Sequence, residues 1–136
     1  MKIAITGANS SVGQQLLSRF AEESDVEIVA GVRAEAAFAT LPESSRITPR
    51  IISYTDPADL AAAFQGVDCV IHLAGILIES KHTNYASANV VATHSVVQAA
   101  QQSGVNHIVF ISVIGASTDS RNSYFHSKGL AEASVA

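Results

Sequence analysis

A single cysteine, Cys69, stands in the 136-residue chain, so no disulfide forms within it and no cysteine-based zinc site is available. It sits in the apolar run VDCVIHLAG, where buried packing is the expected role of a free thiol. Positive charge is scarce too. Eight Lys and Arg face twelve Asp and Glu, the formal net charge is −4, and the basic residues never cluster. General nucleic-acid or membrane-surface binding needs a concentrated positive field, and this chain has none. No apolar stretch reaches the ~20 residues of a membrane span, and MKIAITG opens without the apolar region of a secretory signal. A reducing cytoplasm is the expected compartment. Repeats, low-complexity tracts and long linkers are missing as well, so residues 1–136 are expected to form one domain.

What is present is alternation. The composition, 48% hydrophobic and 15% charged, is that of a globular chain with a real core. Short Val/Ile-rich runs at 2–6, 26–32, 50–53, 68–74 and 107–112 read as strands covered on both faces. Helix-period segments at 12–23, 34–40, 57–64, 84–103 and 123–136 lie between and after them. Asp56 followed by Pro57 is a good helix start, Gly104 a suitable stop for the longest helix, and Ser123 a possible cap for the last. Strand–helix alternation implies an α/β fold, a doubly wound parallel sheet of five strands in the Rossmann-like order 3-2-1-4-5. The chain ends LAEASVA inside an apolar helical pattern. A fragment, or a fold completed by another chain, is therefore expected.

Residues 6–13, TGANSSVG, join the first strand to the first helix. A dinucleotide pyrophosphate needs close backbone approach and free N–H groups at a helix N-terminus. Gly7 allows the tight turn, and Gly13 allows helix and strand to pack closely. Ser10 stands where the usual fingerprint has its middle glycine, and its small side chain can hydrogen-bond a phosphate oxygen. Two glycines six apart also suit a plain strand–turn–helix junction, so the loop alone decides little. The second strand ends AGVRAEA, with Arg33 the first charged residue and no acid before it. An acidic residue there would bind the ribose hydroxyls of NAD, whereas an arginine accommodates a 2′-phosphate. NADP is the favoured cofactor, with NAD the alternative.

The segment YFHSK puts Tyr124 and Lys128 four apart on one helix face. A neighbouring ammonium favours a phenolate over a phenol, which suits acid–base work at a carbonyl. His72, His82, His94, His107 and His126 make no local metal motif, and no metal is expected.

Taken together and in order, TGANSSVG, the GVR strand end, FQGVDCVIHLAG, ASANVVATHSVVQAA, HIVFISVIGAS and YFHSK resemble the short-chain dehydrogenase/reductase superfamily. The branch is the extended or atypical one, the NAD-dependent epimerase/dehydratase type. The resemblance implies cofactor contacts from Gly7, Ser10, Ser11, Val12, Gly13, Arg33, Leu73, Ala74, Gly75 and Lys128. It also implies that Asn89 orders the active site, that Tyr124 is the general acid/base, and that Lys128 binds the nicotinamide ribose. Two departures stand out. Ser53 occupies the place of an acidic residue near the adenine, with Asp56 close by. The usual catalytic Ser or Thr reads Val113, with Ser112 one residue early and Ser117 in the following loop as substitutes. HIVFISVIGAS leading to NSYFHSK is similar, in addition, to the nucleotide-binding accessory subunit of respiratory complex I, where catalysis is not the expected role.

Two functions follow. One is an oxidoreductase or epimerase acting on a small-molecule substrate through Tyr124 and Lys128. The other is a cofactor-binding sensor or structural subunit without turnover; a nucleotide-free scaffold is a weaker third. Members of the superfamily carry a C-terminal substrate-binding part absent here, so this piece is expected to be inactive alone. A homodimer is expected from the apolar edge that this leaves and from family analogy.

Overall fold

A computed structural model describes residues 1–23 and 25–136. Five strands, β1 (Lys2–Thr6), β2 (Glu27–Val32), β3 (Ile47–Ile51), β4 (Cys69–His72) and β5 (His107–Phe110), form one parallel sheet in the order β3-β2-β1-β4-β5. Four α-helices accompany it: α1 (Ser11–Phe20), α2 (Pro57–Ala63), α3 (Ala92–Gln102) and α4 (Ser123–Val135). Residues Glu35–Thr40 form a 3₁₀ helix, and Ala86–Val91 a π-helical turn that leads directly into α3. The fold is the Rossmann-like doubly wound sheet.

Alternation along each strand divides the core in two. On one face Ala4, Val29 and Val70 pack with Leu60 and Phe64 of the α2 region and Val96, Ala99 and Ala100 of α3. On the other, Ile3, Ile5, Ile28 and Ala30 pack with Leu17 of α1 and with Leu41. The helices after β1 and β4 therefore leave on opposite faces, and a crevice opens between them at the C-terminal edge of the sheet.

Local signals set the helix ends. Ser10 (φ −68°, ψ 164°) caps α1, its Oγ accepting from Gly13 N at 3.1 Å. Asp56 caps α2 by accepting from Asp59 N at 3.2 Å, with Pro57 at the first helical position. Gly104 closes α3: its N–H donates to Gln101 O and that of Val105 to Ala100 O, satisfying carbonyls that the helix end leaves open. Several boundaries differ from the sequence reading: α1 ends at Phe20, β4 at His72 and β5 at Phe110, each short of the expected end, and two starts shift as well. The cap of α4 is Asn122, whose side chain accepts from Phe125 N at 3.1 Å, and Ser123 is already helical. The third strand begins at Ile47, not Arg50, and runs through Pro49. As an edge strand it carries one row of N–H groups outside the ladder, so a proline is tolerated there.

Gly13 is where α1 meets the loop before it. A Cβ added there would overlap the carbonyl of Ala8 and lie 2.8 Å from Gly7 O, both backbone atoms. Gly13→Ala is expected to cost about 1–3 kcal/mol by overpacking, read as a lowered urea midpoint at unchanged m-value.

Candidate functional site

The crevice is a cleft of about 710 Å³, and Gly7, Ser10, Arg33, Leu73, Ala74 and Gly75 all line it. Gly7 has φ +67°, and a Cβ on it would sit 2.8 Å from Ala74 N, so the loop after β1 runs against the backbone after β4. Ser10 adopts an extended conformation open to any residue, which removes the need for glycine at that place. Its Oγ is engaged as the α1 cap and keeps its own proton to donate. The N–H groups of Ser11 and Val12 have no acceptor among the described residues and lie at the positive end of the α1 dipole. An anionic pyrophosphate is the group such a cradle takes. Arg33, exposed just beyond β2, makes no ion pair among the described residues.

Several lining residues were not singled out from the sequence. Asn9, Tyr54, Thr55, His82 and Ser87 contribute to the cleft. Tyr54 is one residue beyond Ser53, past the end of β3. Burial pushes its hydroxyl up to about 12, against the opposing influence of the neighbouring Thr6 side chain and the Arg33 charge. An aromatic between a strand end and a helix cap was the available signal. Ser53 itself is exposed and lines the cleft, its N–H donating to Asp59 Oδ2 at 3.0 Å and its Oγ paired with Thr55 Oγ1 at 3.0 Å. Asp56, as the cap, faces α2 instead.

Other sequence-derived residues stand outside the cleft lining, Ser11 and Val12 among them. Gly13 lies behind the loop. Tyr124 is half-buried, its ring tilted against those of Tyr85 at 5.8 Å and Phe125 at 5.7 Å. Lys128 is buried; its Nζ donates to Ile111 O at 2.9 Å and rests 4.3 Å from the centre of the Phe110 ring. Burial lowers the pKa of its ammonium, partly opposed by Glu132. Ser112 lies two residues past β5, its Oγ buried and without a hydrogen-bond partner among the described residues. Val113 follows it, and Ser117 is exposed, its Oγ accepting from Asp119 N at 3.1 Å.

Asn89 joins these two groups of residues. Buried in the π-helical turn, it accepts at Oδ1 from Ile76 N at 2.8 Å, and its Nδ2 donates to Ile76 O at 3.1 Å and Ser127 Oγ at 3.0 Å. Ile76 lines the cleft, and Ser127 immediately precedes Lys128 on α4. Among the described residues, no group of three or more His, Cys, Asp or Glu is placed to hold a metal ion, and no helix is long and apolar enough to cross a membrane.

A family model described as NAD(P)H-binding matches residues 7–135. The chain belongs to the NAD(P)H-binding family. It is 28% identical over 116 residues to YhfK of Bacillus subtilis, an uncharacterized sugar epimerase, covering 85% of this chain and 54% of that one. It is 30% identical over 133 residues to a UDP-2-acetamido-2,6-beta-L-arabino-hexul-4-ose reductase of Pseudomonas aeruginosa, covering 97% of this chain and 30% of the reductase. Among solved structures, the UDP-glucuronic acid 4-epimerase of Bacillus cereus in complex with NAD superposes with a TM-score of 0.82 at 20% identity, over 98% of this chain and 51% of that one. These relatives carry the resemblance to NAD-dependent epimerases, dehydratases and short-chain oxidoreductases, and this NAD(P)H-binding chain spans about half of their length or less.

One titration in this region is strongly displaced. His72, buried at the end of β4, is pushed down from 6.5 to about 4, first by burial and second by the Lys128 charge. Between those values the unfolded chain binds more protons, so the contribution of His72 is complete above pH 6.5 and is lost as pH falls toward 4. The loss amounts to roughly 3 kcal/mol. Urea unfolding across that range is expected to show this slope, and His72→Phe to remove it.

Proposed function

We propose that this chain is the nucleotide-binding portion of an NADPH-preferring oxidoreductase or epimerase, with Tyr124 as acid/base and Lys128 as its electrostatic partner. The observation that carries the reading is the Asn89 bridge, which holds the α4 residue next to Lys128 and the cleft-lining Ile76 on one side chain. When bound, the nicotinamide supplies or accepts the hydride. The residues of this chain would do the rest. Gly7, Ser10 and the N–H groups of Ser11 and Val12 would receive the pyrophosphate. Arg33 would meet the 2′-phosphate of NADPH, and Leu73, Ala74 and Gly75 would bound the ribose side of the cleft. Tyr124 would give or take the substrate proton at its hydroxyl.

A second reading, a cofactor-binding sensor or structural subunit without turnover, draws on different observations. Position 113 offers no hydroxyl, the Ser112 hydroxyl is buried, and the Lys128 ammonium is engaged by the Ile111 carbonyl and the Phe110 ring. Self-association is supported in either case by Val109 and Ile111, roughly half-exposed along the β5 edge. Sedimentation of the 136-residue chain is expected to give a homodimer that Val109→Lys dissociates.

Calorimetric titration with NADPH and NADH tests the site. Arg33→Ala is expected to weaken NADPH binding about tenfold or more while leaving NADH within about twofold, as loss of a charge-assisted contact requires. Equal losses for both cofactors would remove Arg33 from the phosphate site. NADPH oxidation with a panel of carbonyl compounds tests the chemistry, in a chain extended to the length of the relatives. Tyr124→Phe is expected to lower turnover by about 10²–10⁴-fold with cofactor affinity unchanged. Tight binding with no turnover in the extended chain would select the second reading.

A further inference from the structure

Beneath the cleft, the Asn89 bridge is one part of a longer run of buried polar side chains, whose other members binding and acid–base chemistry leave unexplained. Thr6, His72, Thr93, Asn89 and Ser127 are all buried; apart from Lys128, the other buried residues among those described are apolar. Their hydrogen bonds run in one direction only. The Ser127 hydroxyl donates its proton to Tyr124 O at 2.7 Å, so it accepts from Asn89 Nδ2 at 3.0 Å. The Thr93 hydroxyl donates to Asn89 O at 2.7 Å, so it accepts from His72 Nε2 at 2.9 Å. The imidazole is neutral, its proton is on Nε2, and Nδ1 is left to accept from Thr6 Oγ1 at 2.6 Å. One tautomer and one amide orientation satisfy every member.

The two ends of this run are informative. Thr6 is the last residue of β1 and immediately precedes Gly7 of the phosphate loop. At the far end is the backbone of Tyr124. A role in packing alone would be met by apolar side chains, without the penalty of burying several polar groups. A fully satisfied polar network instead selects one geometry.

We propose that His72 and Thr93 are positioning residues, which hold Asn89 and through it Tyr124 in a fixed register with the phosphate loop. Their own atoms touch neither cofactor nor substrate. The catalytic part of the proposal rests on the reading of Tyr124 given above, and the spectroscopic part does not.

Thr93→Val removes the hydroxyl at constant shape, and Thr93→Ser restores it. In the 136-residue chain, nuclear magnetic resonance is expected to find His72 protonated at Nε2. It is also expected to find cross-peaks between the Tyr85 and Tyr124 rings that Thr93→Val loses and Thr93→Ser keeps. Signals of Phe64 and Val70 in the core, and the NADPH dissociation constant within about twofold, are expected to stay unchanged in both variants. In a chain extended to turnover competence, Thr93→Val is expected to lower turnover about 10–100-fold through misplacement of the reacting group, with recovery in Thr93→Ser. If the extended chain turns nothing over, the acid–base reading fails and the spectroscopic arm alone decides the positioning role. The proposal is overturned if Thr93→Val keeps the Tyr85–Tyr124 cross-peaks, if Thr93→Ser is no better than Thr93→Val, if the core signals move with the tyrosines, or if His72 carries its proton on Nδ1.

Discussion

Two backbones pass so closely at the head of the sheet that no side chain can stand between them: a Cβ on Gly7 would lie 2.8 Å from Ala74 N and 3.0 Å from its Cα. The site depends on this approach. It sets the loop after β1 against the segment after β4, at the point where the strand order reverses from β2 and β3 toward β4 and β5. Since α1 and α3 then depart on opposite faces, the space above Gly7 cannot be closed by either helix. The cleft is a consequence of chain direction, and α1 begins beside it, directly after the cleft-lining Ser10. A nucleotide site of this kind is built from backbone first, with side chains adding selectivity.

Asn89 makes a second constraint of a different character. Its carboxamide uses both ends, holding Ile76 through two bonds and Ser127 through a third. In a buried position each of these bonds is costly to leave unmade, so the three groups behave as one rigid unit. The local chain is a π-helical turn, a form that long helices adopt sparingly and often at functional positions. A straight α-helix over 84–103, as the periodicity predicts, would present residue 89 at a different angle. The irregular turn turns a helix-surface amide into a link between the cleft and α4.

The division between what the sequence discloses and what it hides follows from range. The alternation of strands and helices, the Asp56–Pro57 start and the Gly104 stop are local matters, decided by patterning and by residues within a few positions of each other, whereas the Ser10 cap that starts α1 one residue before the expected Val12 was not read. The start of β3 escaped because Pro49 reads as a breaker, and only its place at the sheet edge makes it harmless. The contribution of Tyr54 to the cleft escaped because it depends on how the residues after β3 come beside Thr6 of β1 and His72 of β4, far away in sequence. For Lys128, spacing from Tyr124 establishes a shared helix face. That the ammonium meets Ile111 O and the Phe110 ring depends on how α4 docks, which no periodicity encodes. Asn89 was legible through family resemblance, but its three bonds were not.

Binding and chemistry are separable in this chain, for a physical reason. On the reading proposed above, the groups available to a dinucleotide would be backbone N–H groups, glycine-shaped space and the Arg33 guanidinium, which makes no ion pair among the described residues. The groups available for proton transfer are side chains carried by α4 and by the stretch after β5. There, Val113 has no hydroxyl, Ser112 presents a buried one and the Ser117 Oγ accepts from Asp119 N, so on the same reading Tyr124 would be the one hydroxyl left to orient a carbonyl. With a single donor, the carbonyl keeps freedom to rotate about that contact, and a near-attack geometry has to be imposed from elsewhere. A surface beyond this chain, contributed by further sequence or a second copy, could impose it. Without such a surface the same fold would remain a competent holder of cofactor. Loss of the hydroxyl at position 113 therefore bears on turnover far more than on cofactor affinity, because no group in the phosphate cradle depends on it.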